Sequence, residues 1–378
     1  MNNNLKTYRQ DLHKIPELSL KEYKTSAYIK QKLESFGFKT FSLLETDILV
    51  YIDQGFDTTI AFRSDIDALP VQEETSVDFK STHDGFMHAC GHDGHMAMLL
   101  TFAEYLSKNL DKLTKNILLI FQPAEESIGG AKLLCDKGLL KDRAVEAVFG
   151  IHLFPEIPEG TIASRPGEFM AMASEVNVEV VGKTAHGAMP HQGIDSNLIL
   201  AKLLIDFQSI QTRQISPLEY SIITFGKMAG GFVRNVVSDN AFMEGTVRAF
   251  NKETFQKILD SMKNICASYE QAYGCTINFN NTAGYLAVIN DLELYKRFKK
   301  ANKDIPLYEF EKPLMIAEDF SFYQDEVPGV FYYVGIRNEE LGYVHALHNS
   351  KFNFRESALE LGLTTYKNIL VEMEAINE

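Results

Sequence analysis

The chain has 378 residues, 45% of them hydrophobic and 23% charged, with a formal net charge of −14 at pH 7. That length exceeds the roughly 250–300 residues at which one hydrophobic core stops growing, so two domains are expected. The acidic balance argues against nucleic acid and anionic membranes as main partners, because phosphate binding needs clustered Lys and Arg, and no stretch approaches the ~18–20 consecutive apolar residues of a membrane-spanning helix.

The first residues, Met-Asn-Asn-Asn-Leu-Lys, carry no apolar run, so a secretory signal is not expected. Helical spacing follows: Leu5, Tyr8 and Leu12, then Tyr23, Ala27, Ile29, Leu33 and Phe36, with a break at Ile15-Pro16-Glu17 and a stop at Gly37. His13 reads as a surface or packing residue, and so does His83. Short strands are predicted around 38–41, 48–52 and 59–62, the last running into Arg63-Ser64-Asp65-Ile66-Asp67. The next stretch, Met87-His88-Ala89-Cys90-Gly91-His92-Asp93-Gly94-His95, packs three of the ten histidines and one of the four cysteines into nine residues. An amphipathic helix follows, with Met96, Leu99, Leu100, Ala103 and Leu106 on one face, so His92 lies at or just before a helix start.

An apolar strand at 116–121 leads into Gln122-Pro123-Ala124-Glu125-Glu126, and a helix is expected over 130–137. Another apolar strand, 147–151, is expected to end at His152. Three strands thus deliver acids or imidazoles at their carboxyl ends: Asp65 and Asp67, Glu125 and Glu126, and His152. Apolar strands alternating with helices imply a sheet buried on both faces, whose sites form beyond the carboxyl ends of its strands.

From Ser174 the pattern changes to alternation, with Val176, Val178 and Val180. A polar loop, 182–191, carries His186. Asp195 or Ser196 caps a helix over 197–211, strands follow at 220–227 and 241–250, a helix at 252–273 and a strand at 275–280. This order is the β-α-β-β-α-β ferredoxin-like unit. The expected organisation is therefore a catalytic α/β domain, residues 1–173 and 284–378, with a mixed, mainly parallel sheet flanked by helices. An inserted α+β lid occupies 174–283. After it come helices over 291–301, 318–324 and 356–373, a strand over 329–335, and a loop with His345 and His348.

Imidazole, thiolate and carboxylate are metal donors. Cys90, His92, Glu126, His152 and His348 make five, more than a closed structural zinc site uses. They suit two divalent ions, which together acidify a water, polarise a carbonyl and stabilise a tetrahedral oxyanion. The Glu125-Glu126 pair also offers a general base: in an extended segment adjacent side chains point apart, one to metal and one to substrate. Taken alone, such a pair reads as a solvated loop. Asp67 is suited to orient a ligand, with His88, Asp93 and His95 as further supports. Arg248 and Asn235 read either as groups that recognise a carboxylate and a carbonyl or as packing residues. No G-x-S-x-G, G-x-x-x-x-G-K-[ST] or G-x-G-x-x-G motif occurs. A nucleophilic Cys90 would leave His152, His348 and the Glu pair unexplained. The other cysteines, 135, 266 and 275, form no C-x-x-C pair, which speaks against a disulfide framework and for the cytoplasm.

On Asp11-Leu12-His13, Pro16-Glu17-Leu18, Arg63–Pro70, Met87–His95, Phe121–Glu126, Gly150–Leu153, Gly182–His191, Gly245–Arg248, Ala317–Phe320 and Leu347–Asn349, the chain resembles the dinuclear metal-dependent amidohydrolases of the aminoacylase and carboxypeptidase-G type. The nearest branch holds hippurate hydrolases, auxin-conjugate hydrolases and N-acetyldiaminopimelate deacetylases. The resemblance implies two divalent ions (Zn, Mn, Ni or Co) on Cys90, His92, Glu126, His152 and His348, with Glu125 as general base and Asp67 as its support. It also implies that His186 stabilises the oxyanion, that Asn235 and Arg248 approach substrate, and that the lid forms a homodimer. The implied reaction cleaves an N-acyl amino acid, N-acetyl or aroyl, to a carboxylate and a free amino acid, as in lysine biosynthesis. Ser64, Ile66 and Gly187 depart from the usual Ala, Met and Ala, and bear only on acyl and side-chain preference. The rivals are a hippurate-type or peptide-cleaving enzyme and a non-catalytic metal-binding protein on the same fold.

Overall fold

The computed structural model describes residues 3–282 and 284–377. In chain order the first elements are α1 (Asn3–His13), α2 (Tyr23–Ser35), β1 (Thr40–Phe41), β2 (Ile48–Ile52), β3 (Thr59–Asp65), α3 (His92–Ser107), β4 (Asn116–Gln122), α4 (Gly130–Asp136), β5 (Val145–Pro158), β6 (Ile162–Ser164) and β7 (Gly167–Met170). Next come β8 (Met172–Val181), β9 (Ala185–His186), α5 (Ser196–Arg213), β10 (Ser221–Gly230), β11 (Val236–Val237), β12 (Asn240–Ala249), α6 (Lys252–Tyr273) and β13 (Thr276–Asn281). The last are β14 (Val288–Asn290), α7 (Leu292–Ala301), β15 (Leu307–Glu309), α8 (Ser321–Glu326), β16 (Gly329–Arg337) and α9 (Leu359–Glu372). The chain divides into two compact units. One comprises Met1–Phe169, Val288–Pro313 and Asp319–Glu378; the other comprises Met170–Ala287 and Leu314–Glu318.

The first unit is built on an eight-stranded mixed sheet in the order β1-β2-β4-β3-β5-β16-β6-β15. Its centre is parallel: β4 to β3, β3 to β5 and β5 to β16. Every residue of β3 and β4 is buried, which is why neither alternates and β4 reads as a nearly continuous apolar run. Helix α3 is apolar nearly all round for the same reason, and Leu99, Leu100, Phe102 and Ala103 are fully enclosed. Gly91 at φ +86 turns the chain into that helix, so His92 is its first residue.

Two expectations need correction. His152 does not end its strand. Pairing of β5 with β3 stops at Arg63↔Gly150, but β16 continues beside β5 through Tyr333↔His152 to Arg337↔Pro158. A partner invisible in the local pattern keeps the strand going. Glu125 and Glu126 are not extended either, because Ala124 takes φ +57 and folds them into a turn. Of the two roles left open for His13 it takes packing: it is buried, held by side chains far away in sequence.

The second unit has a four-stranded antiparallel sheet, β10-β12-β8-β13, with α5 and α6 contributing to one apolar core with it. Strand β8 alternates because only one face is covered: Val176, Val178 and Val180 are buried. Asp195 caps α5 by accepting from the Leu198 N–H at 3.2 Å. Asn251 caps α6 the same way, and Gly274 at φ +65 ends it. Among the described residues no helix is long and apolar enough to cross a membrane.

The turn after β4 is folded back tightly on the start of α4. The N–H groups of Gly129 and Gly130 both donate to the Ala124 carbonyl, and a Cβ on Gly130 would lie 1.8 Å from the Pro123 carbonyl oxygen. A backbone atom cannot yield as a flexible side chain can. Gly130→Ala is therefore expected to cost at least about 1–3 kcal/mol in urea unfolding, as overpacking does. It should also lower activity, since the displaced segment carries Glu125 and Glu126.

Candidate metal centre

Four segments of the first unit bring five donors to one place. Cys90 and His92 flank the glycine that opens α3. Glu126 comes from the turn after β4, His152 from inside β5, and His348 from the loop before α9. Ligand atoms of Cys90, His92 and His152 lie within 4.8 Å of one another, and so do those of Cys90, Glu126 and His348. Cys90 is common to both triads. The Cys90 Sγ is 3.3 Å from His152 Nε2, and His348 Nε2 is 3.3 Å from Glu126 Oε1. His348 has φ +63 and donates its backbone N–H to the Ala89 carbonyl at 2.8 Å, which ties that distant loop to Cys90.

Both buried histidines are oriented through the ring nitrogen that faces away. His92 Nδ1 is 2.8 Å from the Asp67 carbonyl oxygen, and His152 Nδ1 is 2.6 Å from that of Leu153. A carbonyl only accepts, so each Nδ1 carries a proton and each Nε2 is left facing the other donors. His92 Nε2 and Glu126 Oε1 are buried without a hydrogen-bond partner. Orphaned polar atoms in a group of thiol, imidazole and carboxylate fit a divalent cation, since such atoms are costly to bury unpaired.

The acids around these donors act on their protonation. Burial and then the carboxylates of Glu126 and Glu125 push the Cys90 thiol well above its ordinary range. A coordinated divalent ion reverses that sign by deprotonating the thiol. Burial disfavours charge on His92, yet Asp65 and Asp67 override it and lift its pKa to about 10. His152 goes the other way: burial, with His95 beside it, drives its pKa well below the ordinary value.

Glu125 is buried, and a ligand atom of its carboxylate lies within 4.8 Å of those of His92 and Glu126. Asp67 accepts from Ser19 Oγ at 2.7 Å and from the Glu126 N–H at 3.0 Å, both on Oδ2, while its own carbonyl fixes His92. His95 is fully engaged, with Nδ1 on Asp65 at 2.7 Å and Nε2 accepting from the Leu153 N–H at 2.9 Å. Asp93 turns away from the donors to Arg9 Nε, 3.0 Å, and His13 Nδ1, 2.8 Å. His88 joins neither triad. It is buried with both ring nitrogens unpartnered, and burial lowers its pKa to about 3.

In the second unit, His186 on β9 pairs with Val236 on β11, and its Nδ1 accepts from the Ala188 N–H at 3.0 Å. The Asn235 carbonyl accepts from the Gly187 N–H at 2.7 Å, so His186 and Asn235 are neighbours through backbone. Arg248 on β12 is half-buried and donates from Nη1 to the Met315 carbonyl at 2.7 Å. Burial lowers its pKa.

Sequence reasoning passed over two groups. Arg63 is fully buried and donates to Gln122 at 2.8 Å, Asp65 at 2.8 Å and Asp319 at 2.7 Å. Glu22 is also fully buried and accepts from the Ala124 N–H. A charged residue inside an apolar strand was the available signal for Arg63. Glu22, next to a helix start, gave none.

This set of donors, with a buried carboxylate beside it, fits a metal-dependent hydrolase of amide bonds. Residues 61–372 match the model of Peptidase family M20/M25/M40, and the chain belongs to that family. It is similar to the N-acetyldiaminopimelate deacetylase of Leuconostoc mesenteroides subsp. mesenteroides, 37% identical over 97% of this chain and 96% of that protein. A protein of the same description from Lactobacillus helveticus is 35% identical, over 97% of each chain. Among solved structures, a dinuclear metal binding peptidase from the M20 family of Bacillus subtilis has a TM-score of 0.82 at 30% identity, covering 98% of both chains.

The support around Asp93 has a pH signature. Glu73 accepts from Ser81 N–H at 2.7 Å, from Thr75 and from His13 at 3.3 Å. Burial favours its neutral form, but His13, Thr75 and Ser81 prevail and hold it at about 2, below the ordinary 4.5. A depressed folded pKa stabilises above the unfolded value, and that contribution is lost as pH falls through the folded one. Glu73→Gln is expected to melt below wild type at pH 7, with the gap closing between about pH 5 and pH 2 in thermal melts.

Proposed function

We propose that the chain is an N-acyl-amino-acid amidohydrolase of the deacetylase type, acting on an N-acetylated diamino dicarboxylic acid of the N-acetyldiaminopimelate kind. The observation that carries the reading is the pair of donor triads sharing Cys90, with the Glu125 carboxylate alongside. In this reading Cys90, His92, Glu126, His152 and His348 would together hold two divalent ions. Two ions bound there would acidify a water, polarise the acyl carbonyl and offset charge on the tetrahedral oxygen. The Glu125 carboxylate takes the proton of the attacking water and returns it to the leaving amine nitrogen. Asp67 holds His92 Nδ1 through its carbonyl and the Glu126 backbone through its carboxylate. For His186 on the oxyanion and for Asn235 and Arg248 on the substrate, support comes from the sequence resemblance. The deacetylase relatives, matched over nearly their whole length, support the substrate class.

A substrate panel tests this directly. N-acetyl, N-benzoyl and dipeptide substrates, each with and without chelator and with Zn, Mn, Co and Ni, should single out N-acetylated amino acids. Best turnover of benzoyl or peptide substrates would replace the deacetylase by the hippurate-type or peptidase reading. No turnover of any would sink the enzyme reading. Glu125→Gln should lower kcat by about 10²–10⁴-fold with metal retained. Cys90→Ser should lose metal, because both triads lose a donor.

We also propose that 174–283 is a ferredoxin-like lid and that it pairs the protein as a homodimer. The chain order β8-α5-β10-β12-α6-β13 with sheet order β10-β12-β8-β13 supports the first. The second is supported by β10 at an open sheet edge and by Leu198 and Ile205 on α5, 52% and 68% exposed. Light scattering should give twice the chain mass for wild type and the single mass for Ile205→Glu.

A further inference from the structure

Besides His348 itself, Leu20 at φ +62 and Ala124 at φ +57 take left-handed backbone near the donor cluster without being glycine. Such a conformation is strained for any side chain and persists only where its surroundings impose it. Both N–H groups are taken by one atom. Glu22 Oε1 accepts from Leu20 N at 2.9 Å and from Ala124 N at 3.0 Å. Its other oxygen, Oε2, pairs with Thr46 Oγ1 at 2.7 Å. Glu22 is fully buried, yet the proposed chemistry does not use it.

The placement gives that carboxylate a task. Ala124 immediately precedes Glu125 and Glu126, so its φ decides where both acids point. The connection between α1 and α2 that carries Glu22 is itself fastened to the site. Leu18 bridges Ala68, the Glu17 carbonyl accepts from the Ala68 N–H at 2.8 Å, and Ser19 donates to Asp67 at 2.7 Å. One short connection thus grips both acid-bearing segments, through Ser19 on one side and Glu22 on the other.

We propose that Glu22 is a positioning residue that imposes the left-handed turn at Ala124 and so aims Glu125 at the reacting water and Glu126 at the metal. Its action is as an acceptor of fixed reach, with charge secondary. Burial lifts its pKa to about 7, and the neutral acid has nearly the same shape as a glutamine, whose amide would reverse the bond that the Thr46 hydroxyl donates to Oε2. With an oxygen in the Oε1 place, Gln accepts both N–H groups while its amide donates to Thr46.

The inference rests on the roles proposed for Glu125 and Glu126, and its test has a reading independent of turnover. Glu22→Ala, Glu22→Asp and Glu22→Gln are compared on the full-length protein. At full metal loading Glu22→Ala should fold cooperatively and lose about 10–100-fold in kcat, with KM within about threefold of wild type. Chelator competition with Zn should show metal retention weakened by about 10–100-fold, as when a group supporting a ligand is removed. Glu22→Gln should match wild type in both within about threefold. Should Glu22→Ala not fold, Glu22→Asp decides: it keeps the charge but falls one methylene short, so kcat and metal retention should both drop below those of Glu22→Gln. Wild-type values for Glu22→Ala or Glu22→Asp, or equal damage in Glu22→Gln, would overturn the proposal. If wild type turns over no panel substrate, the enzyme reading falls, while metal retention across the three variants still judges the role of Glu22 toward Glu126.

Discussion

Arg63 is a permanent cation buried among the acids beneath the donor cluster, and much of the arrangement depends on it. Its guanidinium joins Asp65, at the end of β3, to Asp319, 256 positions away, and both carboxylates are fully enclosed. Gln122 closes the circuit by accepting from Arg63 and donating to Asp319 at 2.7 Å. The second Asp319 oxygen also accepts from the Ala131 N–H at 2.9 Å. Removing one partner from such a group leaves an uncompensated buried charge, worth about 3–5 kcal/mol. The circuit therefore ties β3, β4, the start of α4 and the segment before α8 into one rigid floor.

From that floor the constraint passes upward by hydrogen bonds. Asp65 holds His95, and His95 accepts from the Leu153 N–H, next to His152. On the other side Arg9 and His13 hold Asp93, the neighbour of His92. His152 and His92 thus each sit beside a residue pinned by a different part of the chain. A metal site needs its donors fixed before the ion arrives, or binding must supply the cost of ordering them.

Much of this was legible because the informative residues are rare and their neighbours explain them. Cysteine and histidine crowd into 87–95, and no packing argument requires them there. Helix α6 announces itself at both ends through Asn251 and Gly274. What stayed hidden depends on partners distant in sequence. The apolar run around His152 stops locally, but β16 carries the strand on to Pro158. His13 looked like an ordinary helix residue until Asp93 and Glu73, 80 and 60 positions away, enclosed it. Glu125 and Glu126 looked extended, since nothing in Pro-Ala-Glu-Glu announces a left-handed alanine. Local pattern reports which residues are unusual; long-range pairing decides what each one faces.

The same reasoning explains why one further cluster is a support rather than a rival site. Asp65, His92 and His95 also bring ligand atoms within 4.8 Å of one another, all buried. By donor type alone they would suit a cation. Yet the Asp65 Oδ2 is already 2.8 Å from Arg63, and both His95 nitrogens are spent on Asp65 and Leu153. A metal there would have to share its space with a guanidinium and break two buried hydrogen bonds. Arg63 supplies the positive charge that Asp65 needs, which leaves His92 Nε2 as the uncommitted donor of the three. The cation built into the chain thus decides which side of His92 is open to the cation that is not.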